Sequence, residues 1–430
     1  MHACGHISRR KQKISARRRS RAKSLYMMEK VVLNIIRTLP FESGVENFLF
    51  PRIYPPGRGR KRKVFRSLYF EHSTMRFSFL QDWAPSLLPG ILLLSFSSGS
   101  PPGVEAFPAP VEPPLAARDS SNSSSPVSLL IDQDFPDPSI IQDVDGTWYA
   151  FATASGIQNI QAAKASTPSG PWTHLSQDIL PGTGAWTSNY SSWAPDVRMV
   201  AKGRYVMYYS GQLGNETAYH CIGTAVSTSI LGPYTPAPTP FACPLEQGGA
   251  IDPAGYYDVS TGRRYVLYKV DGNSVGSGGY CNNGVAPFAP TPIMLQEVSV
   301  DDGVTKIGDV VEVLDRNQTA DGPLVEAPDL FRVEAANGTA TYVLLYSNHC
   351  FDSPGYTVSY AMASSVNGPY TRSPAGALIE SGDWNLTAPG GATAVDGEGY
   401  MVFHANCVRG RCMYGAPFGM EDAAVVVVGG

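Results

Sequence analysis

Beyond residue 126 the sequence has no convincing amphipathic helix, no Cys-x-x-Cys pair, few cations and no apolar run long enough to cross a bilayer. Each absence excludes something. Helix bundles and doubly wound α/β folds need helical periodicity, so an all-β class remains. Structural zinc sites draw on closely spaced cysteine pairs, so a zinc module is excluded. After residue 74 there are 15 Lys/Arg against 33 Asp/Glu, a balance of −18. Phosphate contacts need clustered Lys/Arg, so nucleic acid is not an expected partner, and no membrane partner is expected either. The overall −4 hides this, because residues 1–74 carry 18 Lys/Arg against 4 Asp/Glu, or +14.

The basic leader contains "RRKQKISARRRSRAK" and "GRGRKRK", which can be read as nuclear-localisation or nucleic-acid patches. The segment after residue 74 favours a disordered or non-native extension over 1–74. Met75 opens "MRFSFLQDWAPSLLPGILLLSFSSGSPPGVEA": one Arg, an apolar run from Leu87 to Phe96, then small residues. That is a secretory signal pattern over 75–106, too short for a membrane span, with Met75 as the expected start. Residues 107–126 are Pro/Ser-rich and read as a linker, leaving 127–430 as the body. Asn-x-Ser/Thr sequons occur at Asn122, Asn189, Asn215, Asn317, Asn337 and Asn385. Six of the seven cysteines lie in the body, an even number that fits disulfides in an oxidising compartment. Cys407 and Cys412 bracket "VRGR" and are placed to close a hairpin; the pairing of Cys221, Cys243, Cys281 and Cys350 stays open. The expected location is extracellular.

The body repeats itself. Five segments share a proline, an apolar strand, a Gly-containing turn and an aromatic-rich strand: "DPSIIQDVDGTWYAFATA", "APDVRMVAKGRYVMYYSG", "DPAGYYDVSTGRRYVLYKV", "APDLFRVEAANGTATYVLLYSN" and "APGGATAVDGEGYMVFHAN". Their prolines, Pro138, Pro195, Pro253, Pro328 and Pro389, are 57, 58, 75 and 61 residues apart. The long step holds the insert "GNSVGSGGYCNNGVAPFAP". A second echo, "ASTPSGPWT", "VSTSILGPYT" and "ASSVNGPYT", fits an outer hairpin. Five repeats of about four strands describe a five-bladed β-propeller in a single domain.

In a propeller the first strand of each blade lines the axis, and proline is tolerated where a strand begins. The residues before the five prolines are Asp137, Ala194, Asp252, Ala327 and Ala388, with Glu326 one position further out. Three acids from three blades therefore converge. Asp132, Asp134, Asp143, Asp145, Asp258, Asp301 and Asp302 read as ordinary exposed acids. Any single Asp-Pro is more often a turn former. Grouped carboxylates without cations repel, so the joint placement points to a task. Glycoside hydrolysis needs an acid for the leaving oxygen and a base for water, and a third carboxylate can keep the acid protonated. Calcium binding competes, although its ligands usually come from one short loop.

The motifs "DFPDPSII", "WAPDV", "GAIDPAGYYD" and "VEAPDLF", in this order, resemble glycoside hydrolase family 43 over about 127–420. The resemblance implies a five-bladed propeller acting on arabinose- and xylose-containing polysaccharides with inversion. It implies Asp137 as general base, Glu326 as general acid and Asp252 as the group that orients Glu326 and raises its pKa. The base and acid of an inverting pair should stand about 6.5–9.5 Å apart. Many family members carry a Gly-His-Gly-type stretch whose His helps hold an axial ion. Here "TAPGGATAV" has no His, so no cofactor is required, and a calcium or other ion at the axis is left open. His404 lies about a strand later and reads as a packed shell His.

Phe135 and Trp193 flank the motifs and are the candidates for stacking on sugar, while Trp148 and Trp172 read as blade packing. The insert 272–290 and the loop "SNHCFDSPGY" are expected to border the funnel. "NDPNG", the nucleophile motif of related sucrose-acting propellers, is absent, against a retaining fructosidase. The leading reading is a secreted α-L-arabinofuranosidase acting on arabinan- or arabinoxylan-type chains; no β-sandwich module is seen after residue 420, which leans from xylose to arabinose. A β-xylosidase or endo-arabinanase is the near alternative, and a non-catalytic sugar-binding propeller is the alternative of another class.

Overall fold

A computed structural model of the chain describes residues 125–334, 340–395, 399–421 and 424–428. The expected extension 1–74, the signal 75–106, nearly all of the linker, and the sequons at Asn122 and Asn337 lie outside these residues.

Alternating aromatic and β-branched runs broken by Gly, Asn and Asp form strands and tight turns, which here build five antiparallel sheets. Blade 1 is Ser139–Gln142, Trp148–Ala152, Gln161–Ala165 and Thr173–Leu175. Blade 2 is Thr187–Ala201, Arg204–Leu213, His220–Ser227 and Thr235–Pro236. Blade 3 is Ala250–Asp258, Arg263–Val270, Ile293–Val298 and Val311–Leu314. Blade 4 is Val325–Glu334, Ala340–Asn348, Thr357–Ala363 and Thr371–Arg372. Blade 5 takes Gly390–Ala394, Tyr400–Cys407 and Gly410–Glu421 from the C-terminal side and its outer strand, Ser128–Ile131, from the N-terminal side. Ser128 pairs with Gly415 and Ile131 with Met413, which closes the ring. Ala424–Val427 adds to the strand Gly410–Glu421.

The core lies between neighbouring blades. Leu267, Leu295, Leu330 and Leu344 fill the contact of blades 3 and 4. Phe331, Leu345, Met401 and Phe403 fill that of blades 4 and 5. Phe151, Ile160, Met207 and Tyr209 join blades 1 and 2. Each such side chain contributes about 1.5–3 kcal/mol by leaving water. Trp148 is buried and Trp172 packs beside it, as blade packing requires. The Gly170-Pro171, Gly232-Pro233 and Gly368-Pro369 turns join the third and fourth strands of blades 1, 2 and 4.

All six body cysteines are paired: Cys221–Cys243, Cys281–Cys350 and Cys407–Cys412. The second bridge fastens the insert to the "SNHCFDSPGY" loop. Of the acids expected to be exposed, Asp134, Asp143 and Asp302 are half-buried, and Asp258 departs furthest. Asp258 is buried, where it accepts hydrogen bonds from Tyr342 Oη at 2.8 Å and Ser260 Oγ at 2.6 Å, so it pins a turn to the next blade.

Candidate active site

Where the inner strands meet the axis, the backbone repeats an uncommon conformation. Asp137, Ala194, Asp252 and Ala327 have φ of 54°, 40°, 57° and 50°. Such angles cost an L-residue roughly 1–3 kcal/mol and persist only where the surroundings enforce them. In blades 2 to 4 each lies in a register shift, which re-aims the residues around it toward the axis.

The fifth member of this ring differs from the expected one. Gly391, with φ of 59°, sits in the matching shift between Gly390 and Thr393. Together with Asp137, Ala194, Asp252 and Ala327 it lines a narrow axial cavity. Ala388, before Pro389, lies short of the axis and gives its N–H to Ser381 Oγ at 2.9 Å. The physical reason is His404: a Cβ on residue 391 would sit 2.9 Å from its ring, so the position needs glycine.

A hydrogen bond from the preceding blade holds most of these turns. Ala194 N–H donates to Thr153 Oγ1 at 2.9 Å, Asp252 N–H to Ser210 Oγ at 2.9 Å and Gly391 N–H to Ser347 Oγ at 2.9 Å. Asp137 N–H donates to His404 Nδ1 at 3.1 Å. That bond assigns the His404 proton to Nε2 and explains the residue as a packed latch.

Asp137 is held on both oxygens. Arg411 Nη1 lies 3.0 Å from Oδ1, and Thr153 Oγ1 donates to Oδ2 at 2.6 Å. Burial pushes its carboxyl up, but Arg411, then His404 and Thr153, outweigh this and hold it below the usual carboxylate range. Arg411 is itself anchored, since its N–H donates to Asp134 Oδ1 at 2.9 Å. Asp134 is therefore more than a loop acid.

Glu326 is 8% exposed. Its Oε1 accepts from Tyr356 Oη at 2.9 Å, and its Oε2 lies 2.9 Å from Lys269 Nζ. Asp252 Oδ2 accepts the N–H of Ala327, the next residue, at 3.0 Å. Burial first, and then the Glu326 charge, raise the Asp252 carboxyl well above its ordinary value. One site thus holds an ionised carboxylate on blade 1 and, on blade 3, a carboxyl that retains its proton beside Glu326 of blade 4. Environments that push carboxyl pKa values apart assign base and acid.

The two aromatic candidates separate. Phe135 is fully buried among Ile131, Ile140 and Trp148, so its faces cannot stack on a sugar, and it is core. Trp193 is half-buried on blade 2, with one face covered by the His220 ring at 3.5 Å. Lys269, Tyr356 and Arg411 join the site without having stood out in the sequence. Lys269 left one trace there, a lone charge inside the apolar run "RYVLYKV".

An axial ion would need donors aimed into the cavity. Asp137 and His404 Nδ1 are engaged with each other and with Arg411 and Thr153, and Ser139 Oγ and Thr393 Oγ1 donate to the carbonyls of Pro195 and Pro138. Asp196, which lines the cavity, keeps a buried Oδ1 without a hydrogen-bond partner among the described residues, as His404 does its Nε2, and no step of the proposed hydrolysis is routed through a metal. Among the described residues, the cluster of metal-ligand type is Cys281, Cys350 and Asp352, whose sulfurs form a disulfide.

His404 makes stability depend on pH. Burial, then Arg411, lower its pKa to about 3, against about 6.5 when unfolded. Between these values the unfolded chain binds the extra proton, so stability falls as pH drops below about 6.5. By pH 4 this amounts to about 3 kcal/mol. His404→Gln should flatten the fall in melting temperature between pH 6.5 and 4; an unchanged slope would contradict this account.

The sequence profile described as Glycosyl hydrolases family 43 matches residues 127–421. A probable arabinan endo-1,5-alpha-L-arabinosidase A of Aspergillus flavus is 40% identical over 96 residues, which is 22% of this chain and 28% of that protein. An extracellular endo-alpha-(1->5)-L-arabinanase 2 of Bacillus subtilis is 33% identical over 105 residues, 23% of this chain and 22% of its own. The chain thus matches under a third of the length of these relatives. Among solved structures, a thermostable family-43 glycoside hydrolase superposes with a TM-score of 0.57 at 22% identity, covering 69% of this chain and 93% of its own. That likeness concerns the fold.

Proposed function

Because the chain belongs to glycosyl hydrolases family 43, we propose that it cleaves α-1,5-linked arabinan with inversion, using Asp137 as base and Glu326 as acid. The observation that carries this is the contrast between the two sides of the mouth. Asp137 is kept ionised by Arg411, while Asp252, buried beside Glu326, is pushed well above the usual carboxylate range. Asp137 takes a proton from water as its oxygen bonds the anomeric carbon. The bond to the leaving oxygen breaks on the opposite face, and that oxygen takes the proton of Glu326. Asp252 acts through the backbone N–H of Ala327 and through its charge. Trp193 offers a stacking surface for a sugar ring.

The arabinan substrate and the endo mode rest on the printed activities of the partial relatives. A second reading, exo release of arabinofuranose, is favoured by the Cys281–Cys350 bridge, which braces two loops beside the site into one wall. Linear arabinan, arabino-oligosaccharides, aryl arabinofuranosides and xylosides separate these readings. Endo action gives a ladder of oligosaccharides before arabinose accumulates; arabinose alone from the first minutes selects the exo reading. Saturable sugar binding with no turnover on the whole panel would leave only a binding propeller.

Export belongs to the same proposal. It is supported by three disulfides and by exposed asparagines at the sequons Asn189, Asn215, Asn317 and Asn385.

A further inference from the structure

The ring of latches has one exception. Ser210, Ser347 and His404 on the second strands of blades 2, 4 and 5, and Thr153 just past the second strand of blade 1, occupy matching points, and each accepts an N–H from the next blade. On blade 3 the matching residue is Lys269, opposite Ile251 as Ser210 is opposite Trp193. An ammonium accepts nothing. The orphaned N–H, that of Ala327, goes to Asp252 instead.

Lys269 is fully buried, a place where an ammonium is retained only if it is paired. Its Nζ lies 2.9 Å from Glu326 Oε2 and 3.0 Å from Asp271 Oδ1. Burial would discharge it, but Glu326, then Asp271 and Asp252, more than offset this and raise its pKa. A simple latch would have needed only a hydroxyl here, as on blades 1, 2 and 4.

We propose that Lys269 is a positioning residue for the proton donor: it fixes one oxygen of Glu326 while Tyr356 fixes the other, and its charge sets the pH at which the Asp252–Glu326 pair releases its proton. This rests on the acid role proposed for Glu326. The charged and titratable groups facing the cluster come from every blade. They are Asp252, Lys269 and Asp271 of blade 3, Tyr356 of blade 4, Arg411 of blade 5 and Asp137 of blade 1. His220 of blade 2 faces Asp271. Two interacting carboxyls release their protons as a pair, so the quantity to follow is the pair's titration. An adjacent cation lowers the pair's hold on its proton, and removing that cation raises it.

Two variants push in opposite directions. Lys269→Met removes the cation, and the alkaline limb of the rate profile should move up by about one pH unit. Asp271→Asn leaves Lys269 to Glu326 and Asp252, and the limb should move down; this milder change keeps the test alive if Lys269→Met does not fold. Infrared titration of the buried protonated carboxyl, assigned by its loss in Asp252→Asn and Glu326→Gln, follows the same shift without turnover. Opposite shifts of the infrared midpoint in the two variants support the role. Those shifts together with a wild type that hydrolyses nothing would refute the functional reading and leave the positioning role standing. Unmoved midpoints in folded variants would overturn the role, reducing Lys269 to a packing element.

Discussion

Asp137→Asn should fold and lose arabinan hydrolysis by about 10²–10⁴-fold, the range expected when a positioned base is removed. The amide keeps an oxygen for Arg411 and a polar partner for Thr153, so the loss is chemical and the melting temperature should stay near that of wild type. The wild-type pH profile should carry the mark of the same contacts. With its carboxyl held below the ordinary range by Arg411, His404 and Thr153, the base stays ionised as pH falls. His404 acts in the other direction, because its buried neutral ring weakens the fold below about pH 6.5. Acid loss of activity should therefore track unfolding rather than protonation of Asp137. Rate and circular dichroism measured together against pH would show this. A rate that collapses in a fully folded protein above pH 4 would refute it, and near-wild-type activity in Asp137→Asn would remove Asp137 from the mechanism.

Glu326→Gln should have the second large effect, and an uneven one. A leaving group that departs as a stable anion needs little proton transfer, whereas a sugar hydroxyl needs it fully. Loss on arabinan should approach 10²–10⁴-fold, while nitrophenyl arabinofuranoside should be hydrolysed with far less loss. Glutamine keeps one acceptor, for Lys269, and turns its amide N–H toward Tyr356 Oη, whereas Glu326→Ala would leave the buried ammonium with Asp271 alone, at a cost of about 3–5 kcal/mol. Equal loss on both substrates would reject the acid role. Proton NMR of the first-formed anomer completes the test, since a retained product is incompatible with Asp137 as base.

The repeat makes the five blades and the three acids readable, because inner strands share a register that recurs about every 60 residues. A proline, however, is not the register itself. Blade 5 keeps Pro389, but the packing of His404 demands glycine at the axis, so the true ring member is Gly391. Phe135 departs from expectation for a related reason: adjacency to Asp137 in sequence says nothing about which way a side chain turns, and this one turns into the blade 5–blade 1 core. Lys269, Tyr356 and Arg411 come from a second strand, a loop and a hairpin, whose approach to the acids is decided by blade packing and not by period. The pairing of Ser128–Ile131 with the last blade is equally out of reach of local pattern.

That closing pair has a consequence for synthesis. Ser128 emerges from the ribosome long before Gly415, so the strand that seals the ring waits, with its edge unsatisfied, until almost the whole body has been made. The last blade cannot form on a partial chain, and completion of the ring is a late event that follows translation. A chain passed through a membrane before that moment would travel unlocked and close only on the far side. Ser128–Ile131 is in this sense a clasp, which fastens only when nearly the whole body is available.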